Sequence, residues 1–396
     1  MDFRDTPDEA TFRVQVRAFL KAELPERQRS QDVPTGPGYD RSRFEEMREW
    51  RGKLAAKGWI APAWPKEYGG AGLSVMQQFI MNEEFAQARA MPVGGMGVAM
   101  LGPTLISHGS DEQKKEHLGR ILSGEVQWCQ GFSEPGSGSD LASLQTKAVR
   151  DGDDYVINGQ KIWTSGAQFA HWMFLLARTD SDAPKHKGIS YFLLDMKAPG
   201  VTVQPLVNMG GNAGFNEVFF EDVRVPAKNL VGEENRGWYV GTTTLDFERS
   251  SIGSAVAHQL QVEEMVRFAR EHVDDHLSVI DHHPTVRYEL ADRLVEARVA
   301  RMLSYRVITM QAKGLVPNYE ASMTKLFASE LSQRIARTGV MVTGLYGQLR
   351  PGSPWAAARG RYAASYLQTL GSTIAGGTSE VQRNIIAQRG LGLPRD

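Results

Sequence analysis

The chain has 396 residues, of which 41% are apolar and 23% charged, a composition typical of a globular protein with two or three domains. This composition excludes collagen, a disulfide-stabilised scaffold and wholesale disorder. The 45 Lys and Arg residues nearly balance the 46 Asp and Glu residues, giving a net charge of −1. Such a chain has no overall field to hold nucleic acid or an anionic membrane, so we expect neither as a partner.

The single cysteine, Cys129, permits no internal disulfide, which is typical of proteins from a reducing compartment. The first residues are acidic and lack the basic start and apolar run of a signal peptide. The longest apolar runs, such as residues 173–177, are far shorter than the ~20 residues that span a bilayer. We therefore expect a cytoplasmic protein with no membrane insertion.

Helical periodicity predicts an N-terminal α-helical domain over residues 1–123. A first amphipathic helix has apolar residues at i, i+4, i+7 and i+8, namely Phe12, Val16, Phe19 and Leu20. Ser74 is of a type that caps helix starts, and it precedes a second apolar face. That face comprises Val75, Phe79, Ile80 and Phe85.

Residues 124–232 are predicted instead to form short strands. Asn158 and Gly159 lie between two apolar stretches and predict a hairpin turn, because a type I′ turn needs two residues that accept positive φ. Further strands are predicted at residues 171–177, 189–194, 201–205 and 217–220. Short strands at this spacing favour an antiparallel barrel or sandwich as the middle domain.

Helical periodicity returns in residues 233–396. One face after His283 and Pro284 comprises Val286, Leu290, Leu294 and Ala297, and further helices are predicted at residues 319–344 and 355–370. The predicted fold class is therefore α+β, with an N-terminal α-helical domain, a middle antiparallel β domain and a C-terminal α-helical bundle.

Several common functional motifs are missing. Residues 136–141 begin like a dinucleotide fingerprint but lack its third glycine, and no phosphate-binding P-loop is present. No set of Cys and His residues has zinc spacing, and we interpret His282 and His283 as a surface loop, so no metal is expected. No Gly-x-Ser-x-Gly motif indicates a serine hydrolase.

Residues 128–141 combine a strand-like start with a Gly- and Ser-rich loop. Small residues let main-chain N–H groups approach an electron-rich ligand, and the hydroxyls of Ser133 and Ser139 add further donors. On its own, this stretch is compatible with a structural loop as well as with a binding loop.

Four stretches in the same order resemble the signatures of the acyl-CoA dehydrogenase family of flavoproteins. They are residues 64–70, 128–141, 158–166 and 377–387. The resemblance extends over essentially the whole chain, and it implies the same α–β–α architecture that the periodicity predicts. It also implies FAD held between the middle and C-terminal domains.

The resemblance assigns cofactor contacts residue by residue. Gln130, Phe132, Ser133 and Ser139 would line the flavin and the substrate thioester. Trp163, Thr164 and Ser165 would pack on the isoalloxazine and hydrogen-bond it, while Thr378 and Glu380 would lie near the nucleotide half. The alternative for Trp163, taken alone, is a core aromatic at a strand end.

The family reaction is α,β-dehydrogenation of an acyl-CoA thioester, in which a carboxylate removes the α-proton. Many members carry that carboxylate in a C-terminal motif, at a position that is Gly376 here. A minority carry it early in the C-terminal domain, directly before an arginine, and Glu248 precedes Arg249 here. The resemblance thus implies Glu248 as the catalytic base, although a solvated helix residue in a charged cluster is the alternative.

The same resemblance implies substrate contacts. Ser139, Asp246, Arg249 and Gly376 would lie on the substrate side. Arg249 would either meet a phosphate of CoA or hold the helix end. Gly376 has no acid but keeps its main-chain N–H as a donor to the thioester oxygen.

Two features depart from the family pattern. Residues 269–273 show no clear equivalent of an arginine that reaches the FAD of a neighbouring subunit, and a glycine-rich signature is eroded at residues 341–347. The resemblance still implies a homo-oligomer, a dimer or a tetramer, and an electron-transferring flavoprotein as electron acceptor. The alternatives are a catalytically silent subunit of a hetero-oligomer and a flavin oxidase that acts on a non-thioester.

Overall fold

The computed structural model describes residues 4–25, 41–91, 93–246, 252–274 and 277–394. The described residues form two compact units. The helical unit lies within Met1–Gly38, Leu73–Met91 and Ser250–Asp396, and the sheet unit lies within Tyr39–Gly72 and Pro92–Arg249. The first helical stretch of the sequence thus contributes to both units.

The strands of the sheet unit form one mixed sheet. They are β1 (Trp128–Gly131), β2 (Lys147–Asp151), β3 (Asp154–Lys161), β4 (Trp172–Arg178), β5 (Ile189–Asp195), β6 (Val201–Leu206) and β7 (Phe215–Pro226). Their order is β1-β4-β2-β3-β7-β6, with β5 also paired to β4. Most pairs are antiparallel as predicted, but β4 runs parallel to β1 and to the start of β2. β4 and β5 are almost entirely buried and form the centre of this unit.

The predicted hairpin turn at Asn158 and Gly159 is wrong, because both residues lie inside β3. The two-residue turn falls earlier, at Gly152 and the residue after it, where Gly152 supplies a φ of +62°. Asn158 exchanges hydrogen bonds of 2.9 Å with Asp222 on β7, and the pairing of β3 with β7 shifts register at this point. A Cβ at Gly159 would lie 2.7 Å from Thr146, so the glycine permits a close backbone approach at a bulge.

The helices occupy both units. In chain order they are α1 (Pro7–Glu23), α2 (Arg41–Ala56), α3 (Val75–Gln87), α4 (Gly102–His108), α5 (Asp111–Ser123), α6 (Gly237–Asp246), α7 (Ile252–Glu271), α8 (Val279–His282), α9 (Pro284–Ala312), α10 (Tyr319–Val342), α11 (Arg361–Thr369) and α12 (Ser379–Ile385). A short hairpin, β8 (Val273–Asp274) and β9 (Leu277–Ser278), lies between α7 and α8. The helix predicted at residues 355–370 is shorter than expected, because its first turns are irregular up to Gly360.

Periodicity located the helix faces correctly. The four apolar residues predicted to face inward from α1 are at most 9% exposed. Ser74 caps α3 as predicted: its hydroxyl accepts from the N–H of Gln77, and its own N–H donates to the Gln77 side chain. Val286 and Leu290 of α9 are buried in a core that also includes Phe79 of α3.

A histidine is buried within this helical core. His258 of α7 is 5% exposed, its Nε2 lies 2.7 Å from the Ser332 hydroxyl, and its Nδ1 has no partner in the part of the chain that the structure describes. Burial lowers the pKa of His258 to about 4. The folded helical unit therefore holds this imidazole neutral.

We expect His258 to make the protein less stable as the pH falls. Because the folded-state pKa lies below the unfolded value of 6.5, the unfolded chain takes up a proton first, and stability is lost from about pH 6.5 down to the folded pKa. Relative to His258→Gln, the wild type should lose roughly 2 kcal/mol between pH 7 and pH 5 in urea unfolding followed by circular dichroism.

The exposed His283→Gln variant is the matched control and should keep the pH dependence of the wild type. An identical pH dependence for His258→Gln and the wild type would contradict the assignment.

Candidate active site

A buried ion pair fixes the start of the Gly- and Ser-rich loop. Lys161, the last residue of β3, is fully buried, and its Nζ donates to the carbonyl of Phe132 at 2.9 Å and to Glu134 at 2.8 Å. The Glu134 carboxylate also accepts from the main-chain N–H groups of Gln145 and Thr146, at 2.6 and 2.8 Å. The loop after β1 is therefore tied to β3 and to the segment before β2.

The charges of this pair depend on each other. Burial lowers the pKa of Lys161 to about 8, although the Glu134 carboxylate partly offsets the effect. Burial also disfavours the charged form of Glu134, but the Lys161 ammonium and the donated N–H groups outweigh it and hold the pKa of Glu134 below its ordinary value. Glu134 is thus an ionised anchor rather than a proton acceptor.

The structure places the side chains of Gln130 and Phe132 differently. The Nε2 atom of Gln130 on β1 is buried and has no hydrogen-bond partner among the described residues. The Phe132 ring packs edge-on against Phe174 and Tyr191, with centroids 5.8 and 6.1 Å away. Gln130 thus presents an unpaired donor, whereas the Phe132 ring belongs to the sheet core.

The rest of the loop is more open. Ser133 is half-buried, and its carbonyl accepts from the N–H of Ile162 at 2.9 Å, which joins the loop to the end of β3. Ser139 is exposed, and the neighbouring Asp140 pairs with Lys185 at 2.9 Å. The Ser139 hydroxyl is therefore accessible to a ligand from solvent.

Trp163 occupies an unusual turn directly after β3. Its backbone φ is +60°, a left-handed conformation that is costly for an aromatic residue, and its side chain is 59% exposed. The ring contacts Phe215 edge-on at 6.0 Å. Strain combined with an exposed indole is typical of a functional position, which favours the binding interpretation over a core aromatic.

Asn216 clamps this turn. Its carbonyl accepts from the N–H of Thr164 at 3.1 Å, and its Nδ2 donates to the carbonyl of Thr164 at 2.9 Å. The N–H of Gly166 donates to Gly214 at 3.0 Å, and Ser165 lies half-buried between the two anchors. Asn216 was not among the residues predicted from the sequence, because nothing in its sequence neighbourhood indicates that β7 meets this turn.

Five buried side-chain atoms of the sheet unit have no hydrogen-bond partner among the described residues: Arg51 Nε, Trp128 Nε1, Gln130 Nε2, Thr164 Oγ1 and Asn216 Oδ1. Two of these atoms belong to residues predicted to contact the cofactor. The Oγ1 atom of Thr164, like Nε2 of Gln130, is buried and unpaired. An unsatisfied buried polar group costs about 1–3 kcal/mol, so such atoms are usually paired in the working protein. Their chemistry fits the carbonyl and ring-nitrogen edge of a flavin, with Trp163 available to pack on the ring system.

A cavity of about 500 Å³ also lies beside the loop. Its lining includes Glu134, Ser137 and Gln160 but none of the predicted cofactor contacts. The cavity is therefore separate from the set of residues that fit a flavin.

In the helical unit, Gly376 and Gly377 form a turn before α12, with φ of +63° and +84°. Thr378 caps α12 by accepting from the N–H of Val381 at 3.2 Å. Hydrogen bonds from its own main-chain N–H and from the Thr378 hydroxyl lower the pKa of the exposed Glu380. Thr378 is thus occupied as a helix cap, and Glu380 is an accessible anion.

The predicted base is not among these side chains. Glu248 and Arg249 lie outside the described residues, and Asp246 is the last residue of α6. In the described part of the chain, no group of three His, Cys, Asp or Glu side chains could hold a metal ion. Among the described helices, none has the length and apolarity needed to cross a membrane.

Three family models together match nearly the whole chain. The acyl-CoA dehydrogenase N-terminal domain matches residues 6–125, the middle domain matches residues 129–223, and the C-terminal domain matches residues 235–391. The chain therefore belongs to the acyl-CoA dehydrogenase family of oxidoreductases, and the fold is of that type.

Among curated relatives, the chain is 39% identical over 394 residues to acyl-CoA dehydrogenase IpdE1 of Mycobacterium tuberculosis H37Rv, covering 98% of this chain and 99% of the relative. It is 37% identical over 397 residues to acyl-CoA dehydrogenase FadE26 of the same organism, covering 98% of each. The solved structure of the Tcur3481-Tcur3483 steroid ACAD is similar with a TM-score of 0.86 and 36% identity over 100% of both chains. The ChsE4-ChsE5 complex from Mycobacterium tuberculosis is similar with a TM-score of 0.83 and 36% identity, again over 100% of both chains.

We expect Lys161→Met to destabilise the protein by about 3–5 kcal/mol, because it leaves the buried Glu134 carboxylate without its cation. Adding Glu134→Gln should recover part of that loss. Urea unfolding measures both variants.

Lys185→Met, which breaks the exposed pair with Asp140, is the control and should cost no more than about 1 kcal/mol. Equal effects of Lys161→Met and Lys185→Met would contradict the structural role of the buried pair.

Proposed function

We propose that this chain binds FAD and catalyses the α,β-dehydrogenation of an acyl-CoA thioester to the 2-enoyl-CoA. The observation that carries the proposal is that Gln130 Nε2 and Thr164 Oγ1 are both buried and unpaired, in two segments that the Ile162–Ser133 hydrogen bond joins and that include the strained, exposed Trp163. In a chain of this family, those atoms fit hydrogen bonds to the flavin ring. Ser133, Ser139 and Ser165 supply further polar contacts, and Thr378 and Glu380 are assigned to the nucleotide half.

FAD, when bound, supplies the hydride acceptor that this reaction needs. The residues of the chain have other tasks. Asn216 holds the turn that carries Trp163 and Thr164 in a fixed position. These residues can therefore bind the flavin ring without a rearrangement of the turn. The buried aromatic residues behind the loop keep water away from that side of the site.

Glu248 is assigned as the base that removes the α-proton. The position that many relatives use for this acid is Gly376, so the proton acceptor must come from elsewhere in the chain. In the sequence, Glu248 follows Asp246 by two residues and directly precedes Arg249. Because the α-proton is weakly acidic, the base needs a dry site and a raised pKa.

The substrate contacts follow the same assignment. Asp246 and Arg249 are assigned to the substrate side, and a guanidinium such as that of Arg249 suits a phosphate of CoA. Ser139 is accessible from solvent, and the N–H of Gly376 can donate to the thioester oxygen as negative charge develops there. One of the similar solved structures is a steroid ACAD, which favours a steroid-derived acyl group as substrate.

We expect Glu248→Gln to slow substrate-dependent bleaching of the flavin by about 10²–10⁴-fold while FAD stays bound. The assay is anaerobic loss of flavin absorbance with a panel of straight-chain, branched and steroid-derived acyl-CoA thioesters. Glu271→Gln, at the exposed end of α7, is the matched control and should bleach at the wild-type rate.

Bleaching by Glu248→Gln at the wild-type rate would refute the assignment of the base. Turnover that consumes oxygen with no electron-transferring flavoprotein present would instead favour the flavin oxidase alternative.

A second candidate is that the chain works as one subunit of a hetero-oligomer. Two of the similar solved structures carry the names of two different proteins each, Tcur3481-Tcur3483 and ChsE4-ChsE5. In addition, the chain lacks a clear cross-subunit arginine in residues 269–273 and has an eroded glycine signature at residues 341–347. These departures favour FAD contacts supplied by a homologous but different chain, over a homodimer or homotetramer.

If the site needs a different subunit, the chain purified alone should hold clearly less than one FAD per chain. Co-expression with a homologous chain should raise both FAD content and bleaching activity. Light scattering gives the mass of the assembly, and flavin absorbance gives the stoichiometry. One FAD per chain and full activity in a homo-oligomer would contradict this candidate.

A further inference from the structure

The outer face of α9 carries a row of exposed apolar side chains. Tyr288, Val295, Val299 and Met302 are between 38% and 71% exposed. Their spacings of seven, four and three residues place them on one side of the helix, where the exposed Ala291 also lies. From the first to the last of them the row is about 21 Å long, at the helical rise of 1.5 Å per residue. These five residues are called the α9 stripe below.

The opposite face of α9 is apolar as well. Val286, Leu290, Ala297 and Ile308 lie on that face and are buried in the core of the helical unit. A helix that is apolar on both sides is typical of one that is covered on both sides. Single exposed apolar residues are normal on a protein surface, whereas a continuous row marks a surface for another molecule. The α9 stripe therefore has the character of an interface.

Two unpaired charges flank the α9 stripe. Asp292 and Arg298 are both exposed, and neither forms an ion pair or a hydrogen bond with another described residue. They are six residues apart and cannot pair with each other, because ion pairs within a helix form between residues three or four apart. Other arginines of α9 do find partners: Arg293 pairs with Glu296 of the same helix at 2.7 Å.

The positions of these charges are symmetric about the middle of the stripe. Asp292 lies three residues before Val295, and Arg298 lies three residues after it. Tyr288 and Met302, the two ends of the stripe, lie seven residues before and after the same valine. The pattern of apolar residues is thus preserved when the helix is reversed about Val295, while the charges change sign.

This symmetry fits an antiparallel contact between two copies of α9. With Val295 facing Val295, Tyr288 of each copy comes level with Met302 of the other. Asp292 of each copy comes level with Arg298 of the other, so that a two-fold axis creates the same attraction twice. In a parallel contact, each charge would instead come level with its own kind and repel it. The charges therefore favour a second copy of the chain, in the antiparallel direction.

We propose that the α9 stripe docks antiparallel on the α9 stripe of a second copy of this chain, with the two-fold axis at Val295. The contact specifies the helix, its direction and the residues that meet, none of which follows from the expectation of an oligomer. It is independent of the proposed function. A homo-oligomer contains this contact, and so does a hetero-oligomer that holds two copies of this chain.

Cysteine substitutions in the full-length chain test the direction and the register. Facing residues of two packed helices are close enough for a disulfide, so air oxidation of Val295→Cys should convert most of the chain to a covalent dimer on a non-reducing gel. Tyr288→Cys is the matched control, because in the proposed register its two copies are about 21 Å apart and should not cross-link. The native Cys129 is fully buried and should contribute no cross-link.

A charge swap tests the pairing of Asp292 with Arg298. Asp292→Arg and Arg298→Asp should each weaken the association of the copies by about tenfold, because each change makes both charge pairs like-charged. The double variant should restore the wild-type association. Analytical ultracentrifugation over a range of concentrations measures the association, and circular dichroism reports whether each variant is folded. Lys313→Glu reverses an exposed charge just after α9 and should leave the association unchanged.

Several results would overturn the proposal. Equal cross-linking of Tyr288→Cys and Val295→Cys would indicate a parallel contact. A monomeric wild type, or a complex in which a different protein covers the α9 stripe, would exclude a second copy as the occupant. Val295→Cys without cross-links, together with single charge variants that associate like the wild type, would show that the copies meet through another face.

Discussion

The ammonium group of Lys161 holds together the segments that form the sheet side of the candidate site. This group donates to the carbonyl of Phe132 and pairs with the Glu134 carboxylate. In the sequence, Lys161 precedes Trp163 by two residues. The N–H of Ile162 completes the link by donating to Ser133. A buried charge pair is a costly way to connect loops, but it is directional, and replacing one partner leaves the other charge unpaired. This explains how a Gly- and Ser-rich loop keeps one conformation.

The helices could be predicted from the sequence because each needs only local information. The spacing of Phe12, Val16 and Leu20 is sufficient to define the buried face of α1, and Ser74 is sufficient to mark the start of α3. The prediction of a turn at Asn158 failed because the deciding contact is not local. Its local signal is strong, but Asp222 on β7 supplies a partner that makes Asn158 part of a continuous strand.

The residues of the candidate site also fall into those that local sequence motifs predict and those that depend on contacts distant in the sequence. Ser133, Trp163 and Thr378 were predicted because they lie within motifs, which a sequence displays directly. Asn216 was missed, because it acts through hydrogen bonds to the N–H and the carbonyl of Thr164, which is distant in the sequence. Such anchors are ordinary residues on ordinary elements, and their importance comes from what the fold brings to them.

An unpaired buried atom is not by itself a sign of a ligand, since Nδ1 of His258 and Nε1 of Trp128 are also unpaired among the described residues. Those two rings lie among core side chains: His258 is on a buried face of α7, and Trp128 packs against His117. Gln130 and Thr164 differ because their segments also carry an exposed, strained tryptophan and are joined through Ser133. Lys161 and Glu134, which hold the loops, have their hydrogen bonds made within the protein, whereas Gln130 Nε2 and Thr164 Oγ1 have bonds left to make. In the proposed FAD site, that separation of holding from binding would keep the site rigid before FAD binds and still specific for FAD.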